Sequence, residues 1–218
     1  MPAKKDKDEK AAGAAAAADV TLEEGPPAEA EALVIAPPLK RDKYKGSKDA
    51  EGNPHGRGIM RLGNGDFYDG EFVAGEMHGN GTHKWPSGAK YEGQWSEGVR
   101  EGQGKYAFTP RGLTTYEGEF RGNRREGTGI YRWSNGEQYE GSFLNDQRHG
   151  KGSFKWSSLR EDVCTFEEGR QVGEGVRFSA DKQKAWLIQD GQEVREIPVA
   201  EAQERAEKLG EEPAEVES

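Results

Sequence analysis

Cysteine is almost absent from these 218 residues: Cys164 stands alone. An internal disulfide framework is therefore excluded, and a reducing compartment is expected. Aliphatic residues are scarce as well, with a hydrophobic fraction of 32% and a mean hydropathy of -1.01. No stretch approaches the ~20 apolar residues of a membrane-spanning helix. The opening "MPAKKDKDEKAAGAAAAADV" imitates a secretory leader, but Asp6, Asp8 and Glu9 spoil its positive flank, so a secreted product is not expected. A basic surplus is missing too. The net charge is -9, and residues 44–178 carry 19 Lys and Arg against 20 Asp and Glu. The acidity lies in the two ends, and no footprint for nucleic acid is present.

What is plentiful is glycine, at 31, and aromatic side chains, all 20 of which lie between Tyr44 and Trp186. A disordered chain would be poor in rings. The centre must therefore be ordered on rings and glycines where other proteins use Leu and Ile. Residues 1–43, rich in Ala, Glu, Pro and Lys, are expected to be disordered alone. Within them the apolar Leu33, Val34 and Ile35 offer a docking segment for a partner or for the first hairpin.

Tyr-x-Gly begins at Tyr44, Tyr68, Tyr91, Tyr116 and Tyr139, with spacings of 24, 23, 25 and 23. Counted from each tyrosine as position 0, a ring follows at +4 as Phe72, Trp95, Phe120 and Phe143. A Gly-x-Gly follows at +11 and +13, and at +17 come Trp85, Phe108, Trp133 and Trp156. One further step lands on Asp162, with Phe166, Gly173 and Gly175 in register. Like residues alternate with period two, which places them on one face of a strand. Gly-rich connections and turns such as "PSGAK" separate the strands, so each unit reads as a β-hairpin. The strand-centre glycine leaves room for a ring to lie flat across the backbone.

The fold expected is all-β: an open, elongated ribbon of tandem antiparallel hairpins advancing roughly 10 Å per unit. The units fall near residues 44–67, 68–90, 91–115, 116–138 and 139–161, then a degenerate 162–184 and an end strand at 185–191. Residues 192–218 read as an acidic tail holding a short helix, with Pro198 at its start and Gly210 at its stop. Its stripe of Val199, Ala206 and Leu209 is thin, so a partner is expected to steady it. Seventeen of the 20 aromatics occupy positions 0, +4, +15 and +17, which predicts columns of stacked rings on one face.

"YDGEFVAGEMHGNGTHKWPSG" and "YEGEFRGNRREGTGIYRWSNG" resemble MORN repeats. The opening "KYKGSKDAEGNPHGRGIMRLGNGDFYDGEF" is similar to the start of the MORN array in ciliary radial spoke head subunits. That resemblance implies a non-catalytic structural subunit of the cilium or flagellum axoneme, on the cytoplasmic side, supporting spoke–central pair signalling and motility. It also implies other radial spoke head proteins as partners, including a second MORN subunit, in a homo- or heterodimer.

Chemical sites are weaker. No Gly-x4-Gly-Lys-Ser/Thr exists, and the repeated Gly-x-Gly fits turn geometry. His55, His78 and His149 share one pre-glycine slot in different units, so a metal site is not expected, nor is a cofactor. Cys164 reads as a buried thiol, and no triad context is present. The candidate partner-binding residues are the rings Tyr68, Phe72, Trp85, Tyr91, Trp95, Phe108, Tyr116, Phe120, Trp133, Tyr139, Phe143 and Trp156. An alternative reading, a phosphoinositide-binding membrane adaptor, would use Arg100, Arg124, Arg125 and Arg148 at roughly 1 kcal/mol each. Interleaved Glu101, Glu126 and Asp146 argue for a mixed solvated edge, and membrane contact is not expected.

Overall fold

The computed structural model describes residues 43–210. They form fourteen strands and a helix. The first six strands are β1 (Lys43–Lys48), β2 (Pro54–Arg61), β3 (Phe67–Val73), β4 (Glu76–Lys84), β5 (Lys90–Ser96) and β6 (Val99–Ala107). Then come β7 (Thr115–Arg121), β8 (Arg124–Arg132), β9 (Gln138–Leu144) and β10 (Gln147–Lys155). β11 (Glu161–Glu167), β12 (Arg170–Phe178), β13 (Ala185–Gln189) and β14 (Gln192–Ile197) complete one antiparallel sheet in strict chain order. Helix α1 spans Val199–Gly210.

Each unit after the first is a hairpin closed by a two-residue turn. Ala74-Gly75, Glu97-Gly98, Gly122-Asn123, Asn145-Asp146, Glu168-Gly169 and Asp190-Gly191 all hold positive φ at both positions. That is the type I′ geometry whose twist suits antiparallel strands. The turn amides also stitch neighbouring hairpins together. Gly98 N donates to Met77 O at 3.0 Å, Asn123 N to Arg100 O at 3.1 Å and Asp146 N to Arg125 O at 3.1 Å.

Glycines run straight across the sheet. Gly46 pairs with Gly58, Gly58 with Gly70, Gly70 with Gly81, and the row continues to Gly152, which faces Cys164. A Cβ on Gly129 would stand 2.5 Å from Tyr116 Oη and 2.6 Å from its Cζ. Each repeat tyrosine therefore lies flat along this seam, as the strand-centre glycines predict. The first glycine of every Gly-x-Gly adopts positive φ, 61° at Gly127 for example, and the ladder shifts register there. This bulge leaves the backbone short of partners. The tyrosine hydroxyl supplies one: Tyr91 Oη donates to Gln94 O at 3.0 Å, Tyr116 to Glu119 O at 2.9 Å and Tyr139 to Ser142 O at 2.9 Å. Phenylalanine at this position would leave that carbonyl unmet.

The rings at positions 0 and +4 meet edge to face, not in the stacked columns that the sequence suggests. Within a unit, Tyr116 and Phe120 have centroids 5.1 Å apart at 87°; between units, Tyr116 and Phe143 stand 5.0 Å apart at 82°. The same contact repeats from Tyr44 to Phe166. Ring quadrupoles favour this arrangement over a parallel sandwich.

The far end departs from the pattern in a coordinated way. Asp162, fully buried, stands where other units have tyrosine, and it binds Arg177 through two 2.7 Å hydrogen bonds. Arg177 in turn occupies the cross-strand position held by Tyr131 or Phe154 elsewhere. With no ring to lie over it, position 164 tolerates a cysteine. On the opposite face, Val176, Phe178 and Ala185 form an apolar cluster with Ile197 and with Ala202 of α1. That cluster is the partner the thin helical stripe needs, and it lies within the chain. Residues 192–197, read as tail, form the strand β14.

Candidate functional site

The twelve candidate partner-binding rings divide into two groups. Tyr68, Phe72, Tyr91, Trp95, Tyr116, Phe120, Tyr139 and Phe143 are at most 5% exposed. They are core, their surface consumed by one another and by the glycine seam, and they offer nothing to a partner. Trp85, Phe108, Trp133 and Trp156 are half-buried. They line the edge of the sheet where one unit turns into the next, each packed on the +15 ring of the following unit where one exists. Trp85 meets Tyr106 at 5.3 Å, Phe108 meets Tyr131 at 5.3 Å and Trp133 meets Phe154 at 5.5 Å. These four are the rings that remain available to a second molecule.

The four candidate lipid arginines divide as well. Arg125 Nε donates to Asp146 Oδ1 at 3.1 Å and Nη2 to Asp146 O at 2.6 Å, while the guanidinium lies over Tyr131, Phe143 and Tyr116 at 5.3, 5.6 and 5.8 Å. Arg100 repeats this on Asn123, among Tyr106, Phe120 and Tyr91. Arg148 donates to Gly169 O among Phe166, Phe154 and Tyr139. A cation boxed by three rings and a turn carbonyl has no head left for a phosphate. These three are clamps between consecutive hairpins. Arg124 alone of the four is exposed, and it donates to Asn145 Oδ1 at 2.8 Å. Sequence reasoning misses the clamp, yet its signal is there. Arg recurs at +9 in three units, and Asn123 or Asp146 stands at +7 of the next unit in two of the three cases.

Position +3 is a second role not read from the sequence. Glu71 and Glu119 carboxylates accept from the bulge amides of Asn80 and Thr128, each at 3.0 Å, and Gln94 does the same for Gln103 at 2.8 Å. The bond to Thr128 holds the Glu119 carboxyl below its ordinary range.

Chemistry-bearing groups are buried or dispersed. Cys164 is a free, buried thiol. Burial, with Asp162 beside it, pushes its pKa up to about 12, which keeps it in the unreactive protonated form. His83 occupies the +15 place of its unit, 7% exposed, with Asp66 Oδ2 3.5 Å from Nε2 and no hydrogen bond to either ring nitrogen. Burial lowers its pKa against the opposing pull of Asp66, and Arg100 lowers it further. Among the described residues no three His, Cys, Asp or Glu side chains converge on a metal position. No described helix is long and apolar enough to cross a membrane.

A single sheet of hairpins, with one ring-laden face and a self-contained ring ladder, defines a β-repeat protein. The repeats are MORN repeats: residues 50–67, 68–90, 91–111, 116–138 and 139–158 match that family. No curated protein matches the chain. Among solved structures it is similar to the TCP domain of Drosophila melanogaster SAS-4 (dCPAP), in complex with a proline-rich motif of Ana2. That likeness has 12% identity and a TM-score of 0.38, over 76% of this chain and 96% of that one. The TCP10 domain of Danio rerio CPAP, in complex with a STIL peptide, is similar at 11% identity and a TM-score of 0.30, over 73% and 92%.

Proposed function

We propose that this protein is a non-catalytic assembly subunit, a stiff MORN beam that presents a row of half-buried rings and an open sheet edge to other proteins. The observation that carries this reading is the division of labour among the rings. Positions 0 and +4 are spent on internal cohesion, while Trp85, Phe108, Trp133 and Trp156 line one long border at the repeat spacing. Half-buried tryptophans held by neighbouring rings are the side chains on which protein interfaces depend most.

The setting proposed is the ciliary axoneme, in the radial spoke head, where a second MORN subunit and other spoke head proteins would be the partners. The likeness of the opening unit to spoke head MORN arrays supports that setting. Crosslinking mass spectrometry on isolated axonemes tests it. Crosslinks from the lysines near the Trp85–Trp156 border to spoke subunits are expected. A chain missing from axonemes, with no such crosslinks, would sink the assignment. The membrane-adaptor reading loses its main support because Arg100, Arg125 and Arg148 are engaged inside the sheet.

A further inference from the structure

The two ends of the array are finished differently. At the β14 end, the Asp162–Arg177 pair and α1 close the repeat pattern. Nothing comparable closes the β1 end among the described residues. β1 is exposed along nearly its whole length, and no described strand lies along its outer edge. Tyr44 is half-buried and meets one ring, Phe72 at 5.4 Å, whereas Tyr68, Tyr91, Tyr116 and Tyr139 each meet at least two.

The internal register shows what is missing. Every later tyrosine strand has an upstream neighbour that sets a glycine against its glycine and a large side chain against its tyrosine. For β3 these are Gly58 and Met60, for β5 Gly81 and His83, for β7 Gly104 and Tyr106, and for β9 Gly129 and Tyr131. Between them one residue faces the +1 side chain: Ile59, Thr82 and Ile130 are uncharged, and the one charged case, Lys105, forms a 3.2 Å ion pair with Glu117. In those units the +1 residue is acidic: Asp69, Glu92, Glu117 and Glu140. In β1 it is Lys45, flanked by Lys43 and Lys48. A charged residue set against Lys45 would therefore be acidic, the reverse of the Lys105–Glu117 pair.

We infer that the β1 edge is a docking site for one antiparallel strand of a different protein, reading small residue, acidic residue, ring. Its small residue would face Gly46, its carboxylate Lys45 and its ring Tyr44, extending both the glycine seam and the ring ladder by one strand. Strand addition supplies the backbone hydrogen bonds, and the three side chains supply the selectivity. A second copy of this chain does not fit. With Gly46 set on Gly46, β1 against β1 would put Ser47 opposite Lys45 and Lys48 opposite Tyr44, so a copy supplies neither the carboxylate nor the ring. β2 to β13 are paired on both sides, and β14, the other open strand, carries no glycine. The inference deepens the assembly reading, on which it rests.

The test uses the native complex recovered through a tag at the α1 end, together with the isolated full chain. Amide hydrogen exchange of residues 43–48 is expected to slow at least about tenfold in the complex relative to the chain alone. Lys48→Pro removes an amide that points away from β2, because Lys48 faces Pro54 next to the bonded Asp49–Asn53 pair, and Lys45→Glu restores the acid of the other units. Each is expected to lose that protection and the partner while the isolated variant keeps the wild-type circular dichroism and melting temperature. Equal exchange in complex and isolated chain would overturn the inference. So would retention of the partner by both variants, or protection of β1 already complete in the isolated chain. Protection with a partner that is not a spoke subunit would uphold the edge site and refute only the axonemal setting.

Discussion

At the scale of single residues, His83 is the one +15 side chain from the second to the fifth unit whose ordinary pKa lies near neutrality. It is neutral where it sits, because burial lowers its pKa below the ordinary 6.5. The unfolded chain then binds a proton that the folded chain refuses. Stability from this residue is complete above about pH 6.5 and declines as pH falls below it, toward the folded value. His83→Phe, which restores the side chain of Phe154 in the fifth unit, should flatten the stability profile between about pH 7 and 5. Urea unfolding across that range decides it, and parallel profiles for variant and wild type would refute the assignment. Gly129 makes a second, purely steric case, since its φ is not positive. Gly129→Ala drives a methyl into the Tyr116 ring, 2.5 Å from Oη, and should cost ~1–3 kcal/mol of overpacking. An unfolding midpoint equal to wild type would show that the ring does not lie on the seam.

At the scale of the hairpin, the question is what binds one unit to the next beyond the strand ladder. The arginine clamps are the answer for the third to sixth units. Arg125→Ala removes a guanidinium that holds Asp146 and faces three rings, so it should cost about 2 kcal/mol. Arg125→Lys should recover little, because an ammonium cannot fork to the side-chain and backbone oxygens of Asp146 together. Arg124 is its neighbour in sequence but points to solvent, so Arg124→Ala should stay within about 0.5 kcal/mol. Matched denaturation curves give all three values, and equal losses at 124 and 125 would remove the clamp from the account. The hairpins, their register and the flat tyrosines are legible because period two and period 23 are direct consequences of strand geometry. The clamps are harder to see. Arg125 and Asp146 lie 21 residues apart, and a mixed-charge turn reads as a solvated edge until the I′ turns fold one unit's tip back onto the last. Ring availability is hidden for a different reason. Exposure depends on whether rings cover one another, and period alone does not distinguish Tyr91 in the core from Trp85 at the border.

At the scale of the whole molecule, every substantial contact among the described elements joins a unit to itself or to its immediate neighbours, with α1 alone reaching across four strands, β10 to β13. Stability should then be close to a sum over units and their interfaces. This has a consequence that a globular core would not share. Deleting residues 91–115 removes one whole unit and joins Lys90 to Tyr116, so each strand on either side keeps its face. Phe120 then inherits the place of Trp95 against Tyr68, and Met77 meets Asn123 in place of Gly98. Deleting Glu92 alone is the smaller change but slips Tyr91 against Gly93 and Trp95, and a one-residue slip sends side chains to the opposite face of a strand. The larger deletion is expected to retain a cooperative melt and β-sheet circular dichroism, with a shallower urea dependence in keeping with its smaller buried surface. The single-residue deletion is expected to melt lower than the 25-residue one. If the short deletion proves the more stable of the two, the units are not independent modules and the beam must be held together by contacts that run its whole length.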